Sequence, residues 1–313
     1  MNPSIHPPRP RWRIALASVA LLMLVVVGCT REPEPAVPAG PAETVRGWYQ
    51  AMHEDDVGTL FERMLPPARL AAMRQGWERR RAEPPEIAEN DRRQFAQMMA
   101  DLTADGAEDR LYRQIEPTLV RMESELAAQL PLMIAMGTGF ASAGIQENDR
   151  LSEAQKKHAS EVIGALAGWL ATAPLADRDR ARNAIGEISN GARALELDTL
   201  DEVYRLEFDQ VLARLGIVSA TAKAVLALYG LDLGASLSGA TFTVLEQDPA
   251  HATVRIDYPL AASRLHFDLA LVRVDDRWYS QELIEALAEH DAGPAAAAAP
   301  GAVTPGTTPP DTR

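Results

Sequence analysis

One cysteine, Cys29, stands in a chain of 313 residues. A single thiol excludes an internal disulfide, and it excludes a thiolate metal cluster. Aromatic residues make up only 5% of the chain. Bases are too few to balance the acids, and the formal charge is −13. Such a surface repels phosphates, so nucleic acid is not an expected partner. The six histidines are scattered. His53 lies in "HEDD", where consecutive side chains rarely converge on one ion, so no metal is expected. "GTGFASAG", from Gly137 to Gly144, lacks the preceding strand and the third glycine of a dinucleotide loop, and no cofactor is expected. "SATAK", from Ser219 to Lys223, spaces Ser and Lys by four, not the three of the penicillin-binding motif.

Hydrophobic residues, by contrast, reach 47%, enough for a packed core. The N-terminus carries Arg9, Arg11 and Arg13 and no acid. Ile14 to Val27 is then apolar apart from Ser18. A basic head followed by a short apolar run is the pattern of a secretory signal, too short to span a membrane comfortably. It ends in Val26-Val27-Gly28-Cys29. This resembles the bacterial lipobox, in which small residues precede a cysteine that is acylated and becomes the first residue of the mature protein.

The resemblance implies that residues 1–28 are a lipoprotein signal peptide and that Cys29 is the lipidation site. The partner so implied is the membrane, reached through that lipid. Each buried methylene adds about 0.8 kcal/mol, and stable anchoring takes more than one acyl chain. Thr30 stands where an Asp would signal retention at the inner membrane. The implied location is the cell envelope, at the outer membrane and facing the periplasm. Loss of residues 1–28 would remove three Arg and move the charge from −13 to −16.

Residues 29–42 read as the acylated cysteine and a Pro-rich tether, "TREPEPAVPAGPA". Residues 291–313, rich in Ala, Pro and Thr, have the composition of a disordered tail. The folded body is expected over residues 43–290. It opens with helices: Val45, Trp48, Tyr49 and Met52 share one helical face. Asp55 or Asp56 can cap a second helix bearing Val57, Leu60, Phe61 and Met64. Further helices are predicted at 67–82, 85–104, 107–145, 150–172, 178–195 and 199–233, with Pro131 bending or breaking the long one. His158, in "EAQKKHASE", reads as part of an exposed face. From Gly239 the pattern changes to strands: "ATFTVLEQ", "ATVRIDYP", "RLHFDLALVRV" and, after a turn at Asp275-Asp276, a last one through Trp278 and Tyr279. Helices first and an antiparallel sheet of three to four strands last is an α+β arrangement.

The helix "AETVRGWYQAMHEDDVGTLFERML" and the strand region "VDDRWYSQEL" resemble the two ends of small NTF2-like, or cystatin-like, periplasmic lipoproteins. The resemblance implies that residues 43–65 and 239–290 form one unit, with residues 66–238 a large helical insertion. That family holds enzymes, ligand binders and scaffolds, so it selects no activity.

Matching the apolar faces of the second and third strands sets Ile256 opposite Phe267 and Val254 opposite Leu269. The same register sets Asp257 opposite His266 and Arg255 opposite Asp268. An Asp–His pair beside an Arg could do acid–base work in a pocket, which makes Asp257 and His266 the candidate catalytic residues. The plainer reading is a surface ladder of opposite charges. The uncharged run Leu126 to Gln146 is long enough for a membrane span, but Pro131, two glutamines and many small residues weaken it. A buried or groove-lining helix, packed against Val162 to Leu170, is the expectation.

These features point to a lipid-anchored, non-enzymatic binding or scaffold protein that takes a protein partner or an apolar ligand. The alternative is an envelope hydrolase with a polar pocket at the sheet. If Cys29 accepts the lipid, Cys29→Ala should abolish incorporation of labelled palmitate. Label retained by the variant would contradict the lipobox assignment.

Overall fold

The computed structural model describes residues 40–292. Cys29, the signal run, most of the tether and residues 293–313 lie outside the described residues. The helices in chain order are α1 (Pro41–His53), α2 (Val57–Met64), α3 (Pro67–Ala82), α4 (Glu89–Thr103), α5 (Ala107–Gln146), α6 (Glu153–Thr172), α7 (Arg178–Leu195), α8 (Leu200–Val203), α9 (Phe208–Leu228) and α10 (Leu233–Ser238). Four strands follow: β1 (Thr241–Gln247), β2 (His251–Leu260), β3 (Ser263–Val274) and β4 (Arg277–Ser280), and then helix α11 (Gln281–Ala292). The strands form one antiparallel sheet in the order β1-β2-β3-β4. The chain is α+β.

The two ends of the described chain share one core. Val45, Trp48 and Ala51 of α1 and Leu60 of α2 pack against Ala252, Val254 and Ile256 of β2, Leu271 of β3 and Trp278 of β4. Each such aliphatic side chain, once buried, contributes about 1.5–3 kcal/mol. The α1 residues recur at helical spacing, and the β2 residues at every second position, so each element turns a single apolar face inward. The same face of the sheet continues through Leu260 and Leu265 to Ala165 of α6 and Leu231. Helices thus cover one side of the sheet. The other side carries Thr243, Arg255, Asp268 and His266 toward water.

Local signals set the helix ends. Asp56 caps α2, its Oδ1 accepting from the Thr59 N–H at 2.7 Å, which is worth about 1 kcal/mol. Asp55 takes a left-handed conformation, φ 56°, and faces Lys223 of α9 at 2.8 Å. The Lys223 ammonium also donates to the carbonyls of Met52 (3.0 Å) and His53 (2.8 Å). A cation therefore sits on the orphan carbonyls at the C-terminus of α1, where the helix dipole favours it. This accounts for the lysine of "SATAK". At Asp275 and Asp276 both φ values are positive, 47° and 61°, which suits the type I′ turn of a two-residue hairpin.

Four expectations need correction. First, α5 runs unbroken through Pro117 and Pro131. Pro131 is exposed, so water can take the carbonyl that the ring frees four residues back. Second, the helix expected over 199–233 is three: a capping box at Glu207 and Gln210 restarts the chain. Gly230, at φ 90°, turns it where a side chain would be strained. Asp232 then caps α10. Third, Asp291 belongs to α11 rather than to a tail, and it pairs with Arg69 at 2.5 Å. Fourth, Ala128–Gln146 is not a buried helix: no residue of that apolar window is fully buried, and only one stripe of it, through Leu130, Ile134 and Ile145, is half-buried.

In the middle of the chain, α7 and α9 cross closely at Gly191. A Cβ there would overlap the Thr221 side chain, so only glycine permits the approach.

Lys223→Met keeps the length of the side chain and removes its three donors. The variant should lose about 2 kcal/mol, seen as a lower urea midpoint with an unchanged slope. A midpoint equal to wild type would contradict the capping role.

Candidate functional site

The sheet register places the sequence candidates as expected. Asp257 faces His266, and Arg255 faces Asp268. Arg255 and Asp268 form a bidentate pair at 2.7 and 2.9 Å. That hydrogen bonding lowers the Asp268 carboxyl below its ordinary range and raises the Arg255 guanidinium. His266 is exposed and Asp257 half-buried. No hydrogen bond or ion pair joins the two among the described residues. Arg255 and Asp268 occupy adjacent strands on the uncovered face, so their pair is a cross-strand surface contact.

The polar group that the fold does partly bury lies on the other face. His158 of α6 sits on Phe267, ring centroids 4.8 Å apart. Its Nε2 is 3.1 Å from the Tyr258 hydroxyl. Its Nδ1 is buried and has no partner among the described residues. Burial holds the imidazole below its ordinary pKa, while Glu161 and the backbone of His266 pull it back upward. The latter stops short of hydrogen-bond geometry. Burial also raises the Tyr258 phenol, aided by Glu161. Tyr49 of α1 is raised further, by burial and by Tyr258. On the covered side of the sheet, burial thus disfavours the charged form of both phenols and of the imidazole.

Sequence reasoning missed this group and set His158 on an exposed face. The spacing contained the signal. His158, Val162, Ala165 and Trp169 fall on one side of a helix, and the last three pack in the core beneath α6. The flanking charges of "EAQKKHASE" hid the pattern.

A half-buried imidazole beside a phenol can exchange a proton, but such chemistry needs a bound reactant within reach. Grooves occur along α3 at Arg74 and Glu78 and between α4 and α5 at Gln94, Met98 and Leu111. Neither is lined by His158, Tyr258, Asp257 or His266. Among the described residues no cluster of three or more His, Cys, Asp or Glu could hold a metal.

The largest departure from an ordinary surface is on α5. Leu132, Met133, Met136 and Phe140 are exposed, and they fall within about a third of a turn on the helical wheel. Leu130, Ile134 and Ile145, on the opposite side, are half-buried. The helix is therefore apolar on two faces and covered on one. A contiguous exposed apolar patch of this kind marks an interaction surface.

No family model matches the chain, and neither the curated proteins nor the solved structures yielded a match.

His158 supplies a pH signature. Its folded-state pKa is depressed, so unfolding takes up protons between that value and the ordinary 6.5. Its contribution is complete above pH 6.5 and is lost as pH falls through the folded-state pKa. The urea midpoint of wild type should therefore fall more steeply below pH 6.5 than that of His158→Phe. Parallel profiles would contradict the burial argument. His266→Ala should cost under about 1 kcal/mol at any pH, as for an exposed site.

Proposed function

We propose that this chain is a lipid-anchored protein of the cell envelope, held at the outer membrane through Cys29 and facing the periplasm. It acts as a non-enzymatic binding or scaffold protein. The apolar run ending in Val26-Val27-Gly28-Cys29 supports the anchor. The observation that carries the binding role is the exposed apolar face of Leu132, Met133, Met136 and Phe140, in a window of which no residue is fully buried. In this reading the outer face of α5 is the apolar contact surface, open to an apolar ligand such as lipid or to a protein partner. Residues 43–65 and 239–290 act as one NTF2-like unit, supported by the core that α1 and α2 share with the sheet, and residues 66–238 are the insertion that carries the binding helix.

The sheet supports binding over hydrolysis. A hydrolase built on Asp257 and His266 would need the two in contact and shielded from bulk water. His266 is instead exposed, and the charged pair that does form, Arg255 with Asp268, lies on the same open face.

A photo-crosslinking residue at position 140, introduced in the intact chain in cells, tests this reading. Adducts should form at position 140 and not at position 266 on the polar face of the sheet. Equal yields at both positions would contradict a binding role for α5.

A further inference from the structure

The outer face of α5 asks what covers it. Leu132, Met133, Met136 and Phe140 are 66%, 59%, 55% and 76% exposed. From Ala128 to Gln146 there is no charged side chain, in a chain of net charge −13. Between the large side chains, Gly137, Gly139 and Gly144 open onto empty space. The face is smooth, uncharged and about 28 Å long at 1.5 Å per residue.

That length would suit a membrane span, but the fold forbids one. Only residues 147–152 separate α5 from α6, and α6 returns immediately to the sheet, with His158 on Phe267. The far end of α5 is therefore on the same side of any membrane as the sheet. The near end is on that side too, since Tyr112 and Leu119 pack on Ala181 and Ile185 of α7, so the helix can lie on a bilayer but cannot cross it.

A second copy of this chain is a poor cover. The apolar face is flanked by Glu125 on one side and by Glu147 and Asp149 on the other, while Glu123 is paired with Arg178. Parallel pairing sets each acidic end against itself, and antiparallel pairing sets the two against each other; both bring like charges together. A bilayer has no such mismatch, and the chain outside the described residues supplies one. Thr30–Gly40, eleven residues, is all that separates Cys29 from α1. At full extension that is at most about 40 Å. An acylated Cys29 would hold the start of α1 within about 40 Å of lipid, and tethering turns a weak second contact of the body into an intramolecular one.

We infer that the outer face of α5, centred on Leu132, Met133, Met136 and Phe140, rests in the interfacial layer of the bilayer that anchors the chain. The inference builds on the lipid-anchored reading. A multiply acylated cysteine holds the chain on the membrane by itself; the α5 face adds a second contact that fixes how the body lies on it. With no basic residue on the face, the contact needs no anionic lipid and is insensitive to salt.

The test uses the acylated chain carrying Met136→Cys, in phosphatidylcholine vesicles. Intact mass first establishes the acyl group on Cys29, which leaves position 136 as the sole free thiol for a nitroxide. The inference expects the spin label to lose accessibility to a water-soluble nickel complex and to gain accessibility to oxygen when vesicles are present. Unchanged nickel accessibility would overturn it. Loss of accessibility to both reagents would also overturn it, since that reports a protein surface over the helix. If the mass shows an unmodified Cys29, the anchoring reading fails by itself. The same label in the Cys29→Ser, Met136→Cys chain then decides the α5 contact by the same accessibilities. An unshifted thermal melt verifies that Met136→Cys is folded.

Discussion

Everything in this fold depends on one packing interface between residues far apart in sequence. Val45, Trp48, Ala51 and Leu60 have no apolar cover until Val254, Ile256 and Leu271 arrive, roughly two hundred residues later. Loop closure over such a distance costs entropy that grows only slowly with length. It still has to be offset by a dense contact, and Val45, Leu60, Val254, Ile256 and Leu271 are each fully buried. Lys223 adds a polar tie to the same interface. It reaches from α9 to the end of α1 and so connects the helical middle to the core that the ends build.

Closing the chain this way leaves the middle as an excursion with its own smaller cores. Tyr112, Leu119, Ala181 and Ile185 form one, between α5 and α7. Val57, Phe208 and Leu212 form another, between α2 and α9. Neither needs the second half of α5. That segment is held along one stripe and is apolar on the opposite one, an arrangement that costs solubility without adding stability. The balance of forces thus points to a surface kept for contact rather than for folding.

The sheet was legible in the sequence because its period is two and its faces differ. Ile256 against Phe267 and Val254 against Leu269 followed from matching apolar faces alone. The Asp275-Asp276 turn and the face of α1 were equally readable. Three things were not. The covering of α5 depends on which helices happen to pack beside it, and an uncharged run looks the same whether buried or bare. His158 sits at the end of an apolar stripe but among charges, and local composition outweighed the period. Helix α11 follows β4 without a break, and its join carries no turn signal. The candidate pair Asp257 and His266 was placed correctly across the strands, but exposure is a property of the helices overhead, and those lie on the other face.

Packing of α1 against β2 makes the two one cooperative unit despite their separation in sequence. Native-state hydrogen exchange measures this most directly. Amides of Val45, Trp48 and Ala51 should open with the same free energy as those of Val254 and Ile256, while amides from Met133 to Phe140 open separately and at lower cost. Exchange of the α1 amides well ahead of β2, at a cost matching the middle helices instead, would contradict it.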